Sequence, residues 1–100
     1  MTEIELRIRV LLTMQSALLG AIRPNIRAVA CRWDFNSIHI RSIYDGEISN
    51  ADKELIDDVA TEVISHFPDA AISIECVRSD APERLVVDVT ESYVYRRSET

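Results

Sequence analysis

The sequence is poor in the residues that build phosphate-binding loops, metal sites and disulfide scaffolds, and each shortage excludes a class of protein. Only two glycines and three prolines occur among 100 residues. No GxGxxG, GxxxxGKS or GxxxxGKT motif is present, so nucleotide binding through those loops is not expected. The two histidines and the two cysteines show no CxxC or HxxxH spacing, so we predict no metal site and no cofactor. Cys31 and Cys76 lie in apolar runs and are expected to be reduced core residues.

The sequence also lacks a long hydrophobic run and a signal peptide. Its most apolar stretch, Val10–Ile22, is interrupted by Thr13, Gln15 and Ser16 and is too short for a membrane span. The first five residues include no basic residue of the kind that opens a signal peptide. We therefore expect a cytoplasmic protein that does not bind a membrane.

No arrangement of residues typical of catalysis is recognisable. His39 falls within a strand-like run, His66 stands near the end of a helical one, and no serine lies in a nucleophile elbow. Asp57 and Asp58 are adjacent, so they do not share one helical face as a pair of catalytic carboxylates would. A binding protein is the favoured interpretation, and a small enzyme is the least favoured.

The first twenty residues show two competing patterns. Leu, Glu, Arg, Met, Gln and Ala dominate Thr2–Ala21, which favours a helix, with Thr2 and Glu5 forming a capping box and Gly20 near the end. A strict alternation typical of a strand runs through Ile4, Leu6, Ile8 and Val10. We predict a helix whose buried face, interrupted by Gln15, consists of Ile4, Ile8, Leu11, Leu18 and Ile22.

Five strand-like segments follow the first helix. Ile26–Trp33 and Ser37–Tyr44 alternate in character and are joined by a short turn, which predicts a hairpin. A third strand is predicted over Ala70–Arg78. Leu85–Val89 and Ser92–Tyr95 are rich in β-forming residues and are predicted as either one bent strand or a weak hairpin.

The clearest element is a helix predicted over Ser49–Phe67. Its apolar residues follow the i, i+3, i+4, i+7 spacing, Ser49 and Asp52 form a capping-box analogue, and Pro68 ends it. The order α-β-β-α-β-β predicts one α+β domain over residues 1–100. We expect a two-layer α/β sandwich, with two helices on one face of a three- to four-stranded, largely antiparallel sheet. Only the last residues, Ser98 to Thr100, are expected to be disordered.

Negative charge is concentrated in one segment. The net charge of the chain is −6, and residues 45–69 contain eight acids and one lysine. Because the apolar stripe of the second helix turns inward, its acids, Asp52 included, are expected to face solvent. An acidic surface repels nucleic acid and attracts a basic protein, although an ordinary solvated face is the alternative. The predicted partner-binding acids are Asp45, Glu47, Glu54, Asp57, Asp58 and Glu62.

Aromatic and arginine residues give further indications of an interface. Phe35 lies in the predicted hairpin turn and is a candidate exposed anchor, as are Tyr93 and Tyr95 near the end, whereas Trp33 and Phe67 are expected in the core. Arginine outnumbers lysine ten to one. The sequence leaves two roles open for these arginines, namely ion pairs within the molecule and contacts in an interface.

Four segments of the chain resemble a family of small bacterial proteins: Ile43–Ser49, Thr61–Ile64, Phe67–Asp69 and Arg78–Glu83. Their motifs are structural: a turn, a helix cap, a helix stop and a loop. Small acidic proteins of this kind are similar to the immunity proteins encoded beside bacterial toxins, in contact-dependent growth inhibition and colicin-type systems. The resemblance implies a cognate toxin domain, often a nuclease, as the partner.

Two classes of function follow. The first is an immunity protein whose acidic face docks on the cationic cleft of a basic nuclease toxin and occludes its active site. The alternative is a structural or regulatory domain that forms a homo-oligomer, such as a homodimer, through the exposed edge of its sheet. The mass of the pure protein in solution distinguishes them, since a tight dimer favours the second.

Overall fold

A computed structural model describes residues 1–99, and its elements follow the predicted order. The helices are α1 (Glu3–Leu18) and α2 (Asn50–His66). The strands are β1 (Ile26–Trp33), β2 (Ser37–Tyr44), β3 (Ala71–Arg78) and β4 (Ser92–Arg96). The α+β class and the order α-β-β-α-β-β are therefore confirmed.

The four strands form one open sheet in the order β3-β2-β1-β4. β1 pairs antiparallel with β2 and with β4, and β2 pairs parallel with β3. The hairpin of β1 and β2 was predicted from its short turn. α2 supplies the long connection that a parallel neighbour requires. Both helices pack on the same face of this sheet, as predicted.

The second face of the sheet is crossed by residues 79–91, a feature that the sequence did not indicate. Because β3 and β4 are the two edge strands, this crossing segment must travel from one edge to the other. The predicted strand at Leu85–Val89 is wrong, since these residues form no strand. Ala28, Ala30 and Ile43 point to this face and are buried.

Two arginines hold the crossing segment against the sheet. Arg41 on β2 donates a hydrogen bond to the carbonyl oxygen of Val86 at 2.6 Å. Arg27 lies at an irregularity in the β1 ladder, is only 2% exposed, and donates to the carbonyl oxygens of Ser79 and Glu83, each at 2.8 Å. These carbonyls have no strand partner, so the guanidinium groups satisfy them.

Arg27 also binds the C-terminal end of the described chain. Its Nε and Nη2 donate to the two carboxylate oxygens of Glu99 at 2.8 and 2.9 Å. Arg97 donates to Glu99 at 2.8 Å and to Asp45 at 2.9 Å. The prediction of a disordered tail is therefore wrong for Glu99, whereas Thr100 lies outside the described residues.

This pairing predicts that the stability of the fold depends on pH at the acid end. The hydrogen bond from Arg27 lowers the pKa of Glu99 from 4.5 to about 2. A carboxylate with a lowered pKa contributes stability above its unfolded pKa and loses that contribution as the pH falls toward the folded one. We expect Glu99→Gln to lower the midpoint of urea unfolding at pH 7. The difference in midpoint between this variant and the parent should vanish as the pH falls from 4.5 to about 2. A difference of constant size over that range would contradict the assignment.

α1 begins at the predicted capping box of Thr2 and Glu5, but it buries a different face from the predicted one. Its core-facing residues are Leu6, Val10, Met14, Ala17 and Leu18. Of the predicted face, only Leu18 is buried, Leu11 is partly buried, and Ile4, Ile8 and Ile22 are exposed. The side chains of residues two apart on a helix point in directions that differ by about 200° around the helix axis. The alternating run of apolar residues is therefore divided between two opposite faces of α1, and both faces are apolar.

α2 buries part of its predicted stripe, with Ile56, Val59 and Val63 packed against the sheet, whereas Ala51 and Ile64 of that stripe are exposed. Asp52 was expected to face solvent, but it is 2% exposed. Its carboxylate accepts hydrogen bonds from the Ser49 backbone N–H at 2.9 Å and from the side-chain amide of Asn25 at 3.0 Å. Burial alone would raise the pKa of Asp52, but these bonds and the charge of Arg23 hold it below its usual value.

Both cysteines are free, and burial raises the pKa of the Cys31 thiol to about 12, as expected of a core residue. Within residues 1–99, no group of three or more His, Cys, Asp or Glu side chains is placed to hold a metal ion. No helix in the same range is long and apolar enough to cross a membrane.

Candidate protein-docking surface

The two helices lie side by side and run in opposite directions. At one end, Arg9 of α1 donates to the carbonyl oxygen of His66 at 3.3 Å and stacks over the ring of Phe67. At the other end, Arg23 forms an ion pair with Asp52 at 3.3 Å. The outward faces of α1 and α2 therefore lie on the same side of the molecule, and together we call them the helical surface.

The outward face of α2 is acidic. Its exposed carboxylates make no ion pair with any residue in the range 1–99. The pairs Glu54/Asp58 and Asp58/Glu62 each place like charges four residues apart, which costs an isolated helix about 0.2–0.5 kcal/mol. These like-charge spacings do not stabilise α2. We call this group the acidic strip, and it consists of Glu54, Asp57, Asp58 and Glu62.

The acidic strip keeps its charge because the arginines are used elsewhere. Five of the ten arginines form ion pairs with other carboxylates, and three stack over aromatic rings. Pairing within the molecule, one of the two interpretations left open by the sequence, thus accounts for half of the arginines. The paired residues are Arg23, Arg27, Arg41, Arg78 and Arg97, and the stacked ones are Arg7, Arg9 and Arg96.

The other two predicted acids precede α2. Asp45 pairs with Arg97 at 2.9 Å and also accepts a hydrogen bond from the backbone N–H of Ala81 at 3.3 Å. Its charge is therefore already matched within the molecule, so it has little to offer a partner. Glu47 is exposed and extends the negative surface beyond the first turn of α2.

Phe35 lies in the turn between β1 and β2 and is 54% exposed. It lines a shallow cleft with Glu3 and Arg7 at the beginning of α1. β2, with eight residues, separates this turn from Asp45 by about 26 Å at roughly 3.3 Å per residue. The predicted site residues thus do not form one cluster, since Phe35 and Asp45 lie at opposite ends of the sheet.

The outward face of α1 carries a row of exposed apolar side chains, two of which, Ile4 and Ile8, the periodicity of α1 had assigned to the core. We call it the apolar strip, and it consists of Ile4 (72% exposed), Ile8 (52%), Leu12 (62%) and Leu19 (81%). The strand-like alternation of residues 4–10 was the signal that could have revealed it, because it shows that α1 has two apolar faces.

One cluster contains the residue types of hydrolytic enzymes. The Nδ1 of His39 lies 2.7 Å from the Ser73 hydroxyl, and its Nε2 lies 3.3 Å from the Glu75 carboxylate. His39 and Ser73 are direct partners in the register of β2 and β3, and Glu75 follows two residues later on the same strand as Ser73. We interpret the cluster as a set of bonds that link two neighbouring strands.

Comparison with known proteins points to one family. Residues 7–99 match the family model described as MafI2 immunity protein. The match begins in the first turns of α1 and extends past β4. A search of the curated proteins finds no match.

Proposed function

Because the chain belongs to the MafI2 immunity protein family, we propose that it neutralises a basic bacterial toxin domain by covering the active site of that domain with the helical surface. Membership of the family indicates a toxin-neutralising function and a protein toxin as the partner. The basic nature of the toxin, its action on nucleic acid and the occlusion of its active site are our proposal. The observation that supports them is the acidic strip, which is exposed and makes no ion pair within residues 1–99.

The geometry of the acidic strip suits a cleft that holds phosphates. Glu54, Asp58 and Glu62 recur every four residues, so their carboxylates form a row with steps of about 6 Å. A nucleic acid also presents regularly spaced negative charge, which nucleases bind with Lys and Arg side chains. A row of carboxylates that occupies this cleft excludes the substrate, and long-range attraction accelerates the encounter.

The proposal predicts a toxin domain encoded next to this chain, and that domain is the partner with which to test it. We expect the two proteins to form a stoichiometric complex in which hydrolysis of nucleic acid by the toxin is abolished, with inhibition weakening as salt rises. A toxin domain taken from an unrelated system serves as the control and should stay active. A complex that forms while hydrolysis continues at its full rate would contradict occlusion of the active site.

One observation favours the second candidate, a homo-oligomer formed through the sheet. The outer edge of β3 pairs with no strand in the described part of the chain, and Ala71–Arg78 contains neither proline nor lysine. Edge strands without such residues are prone to pair with another chain. The mass of the isolated protein in solution separates this candidate from the first.

A further inference from the structure

The apolar strip lies outside the hydrophobic core of the fold. α1 already packs into the core through the opposite face, which contains Leu6, Val10 and Met14. Single exposed apolar residues are ordinary on protein surfaces, but the strip places three of them at successive turns of one helix, at positions 4, 8 and 12. Contiguous apolar patches of this kind mark interaction surfaces on small proteins.

We propose that the apolar strip is the centre of the toxin interface, and that the toxin meets it with an apolar patch bordered by basic side chains. This inference rests on the proposed toxin-neutralising function and specifies the surface through which it acts. The apolar strip and the acidic strip belong to adjacent antiparallel helices, so a single partner of ordinary size covers both. The charge of the partner then determines whether it fits the helical surface.

A second copy of this chain fits the helical surface poorly. In a two-fold antiparallel pairing of α1 helices, the same flank of each helix meets its counterpart. Such a pairing brings the two acidic strips to the same side of the interface, in a complex of two chains that each have a net charge of −6. A basic partner gains attraction at the place where a second copy meets repulsion.

The two strips are expected to contribute differently to binding. A few fully desolvated side chains near the centre of an interface carry most of its energy and set its dissociation rate, whereas long-range charge acts mainly on association. Variants of the apolar strip should therefore change the dissociation rate and leave the dependence of association on salt unchanged.

The test compares two double variants that lose equivalent apolar groups on opposite sides of the molecule. Ile8→Gln with Leu12→Gln alters the apolar strip, and glutamine is nearly as good a helix former as leucine. Val86→Gln with Val89→Gln is the matched control, since both valines are more than 70% exposed on the crossing segment. Binding kinetics are measured with the toxin domain encoded next to this chain, and thermal unfolding verifies that both variants are folded.

We expect the α1 double variant to raise Kd about 100-fold, at about tenfold for each buried side chain, through faster dissociation. The control should bind like the parent. If the α1 variant also binds like the parent, the inference is overturned while the proposed function stands. Failure of the parent chain to bind the toxin overturns the proposed function itself. If the isolated parent is a dimer and Ile8→Gln with Leu12→Gln makes it monomeric, the occupant of the strip is a second copy and the inference is wrong.

Discussion

Reversing two charges of the acidic strip, by Asp58→Lys with Glu62→Lys, is expected to weaken toxin binding about 1000-fold at low salt, since like charges brought together across an interface cost several kcal/mol. The largest part of the loss should appear in the association rate, because the long-range attraction that guides the encounter is removed. The stability of the fold should not decrease. A lysine at position 58 stands four residues after Glu54, a favourable spacing in a helix, where two carboxylates now repel each other.

The control for this variant is Asp69→Lys with Glu83→Lys. Both pairs of substitutions change the net charge of the chain from −6 to −2, so any difference between them reports the position of the charge. Asp69 and Glu83 are exposed and lie off the acidic strip. Association rates measured over a range of salt concentrations would reject the acidic strip as the docking surface if both variants slowed equally.

Arg27→Met is expected to destabilise the fold by about 3 kcal/mol, the lower end of the range for removing one partner of a buried ion pair. The substitution leaves the carbonyl oxygens of Ser79 and Glu83 without donors and removes one of the two arginines that bind Glu99. We choose the lower end because the Glu99 carboxylate is 28% exposed and can regain water. A loss of this size is a large part of the stability of a single domain.

Urea unfolding and amide hydrogen exchange would measure this effect. Exchange should rise first in the crossing segment, since Arg27 holds it against the sheet. Arg84→Met is the matched control, because Arg84 is exposed and makes no ion pair within residues 1–99. An Arg27→Met protein as stable as the Arg84→Met protein would show that the crossing segment is held by other contacts.

Short-range signals in the chain were sufficient for the elements themselves. Each helix begins at a capping box formed by residues three apart, Thr2 with Glu5 and Ser49 with Asp52. The hairpin follows from its short turn and the alternation of β1 and β2. The concentration of acids in residues 45–69 also predicted a charged outward face on α2, and four of those acids are there.

The wrong predictions concern residues whose position depends on distant parts of the chain. Asp52 was counted with the surface acids because capping a helix does not by itself require burial, yet Arg23 and Asn25 enclose it from a distant part of the chain. Leu85–Val89 has the composition of a strand, but the chain must pass from β3 at one edge of the sheet to β4 at the other, so the segment crosses the second face instead.

The sequence by itself determined the class of fold, the order of its elements and the segment in which negative charge is gathered, because capping, periodicity and composition act between residues close together in the chain. Only the tertiary structure decided which apolar face of α1 is buried, which arginines neutralise which acids, and that residues 79–91 cross the sheet. These choices depend on competition between surfaces that are distant in sequence. On α1 the two faces are similarly apolar, so only the shape of the sheet and of α2 selects between them.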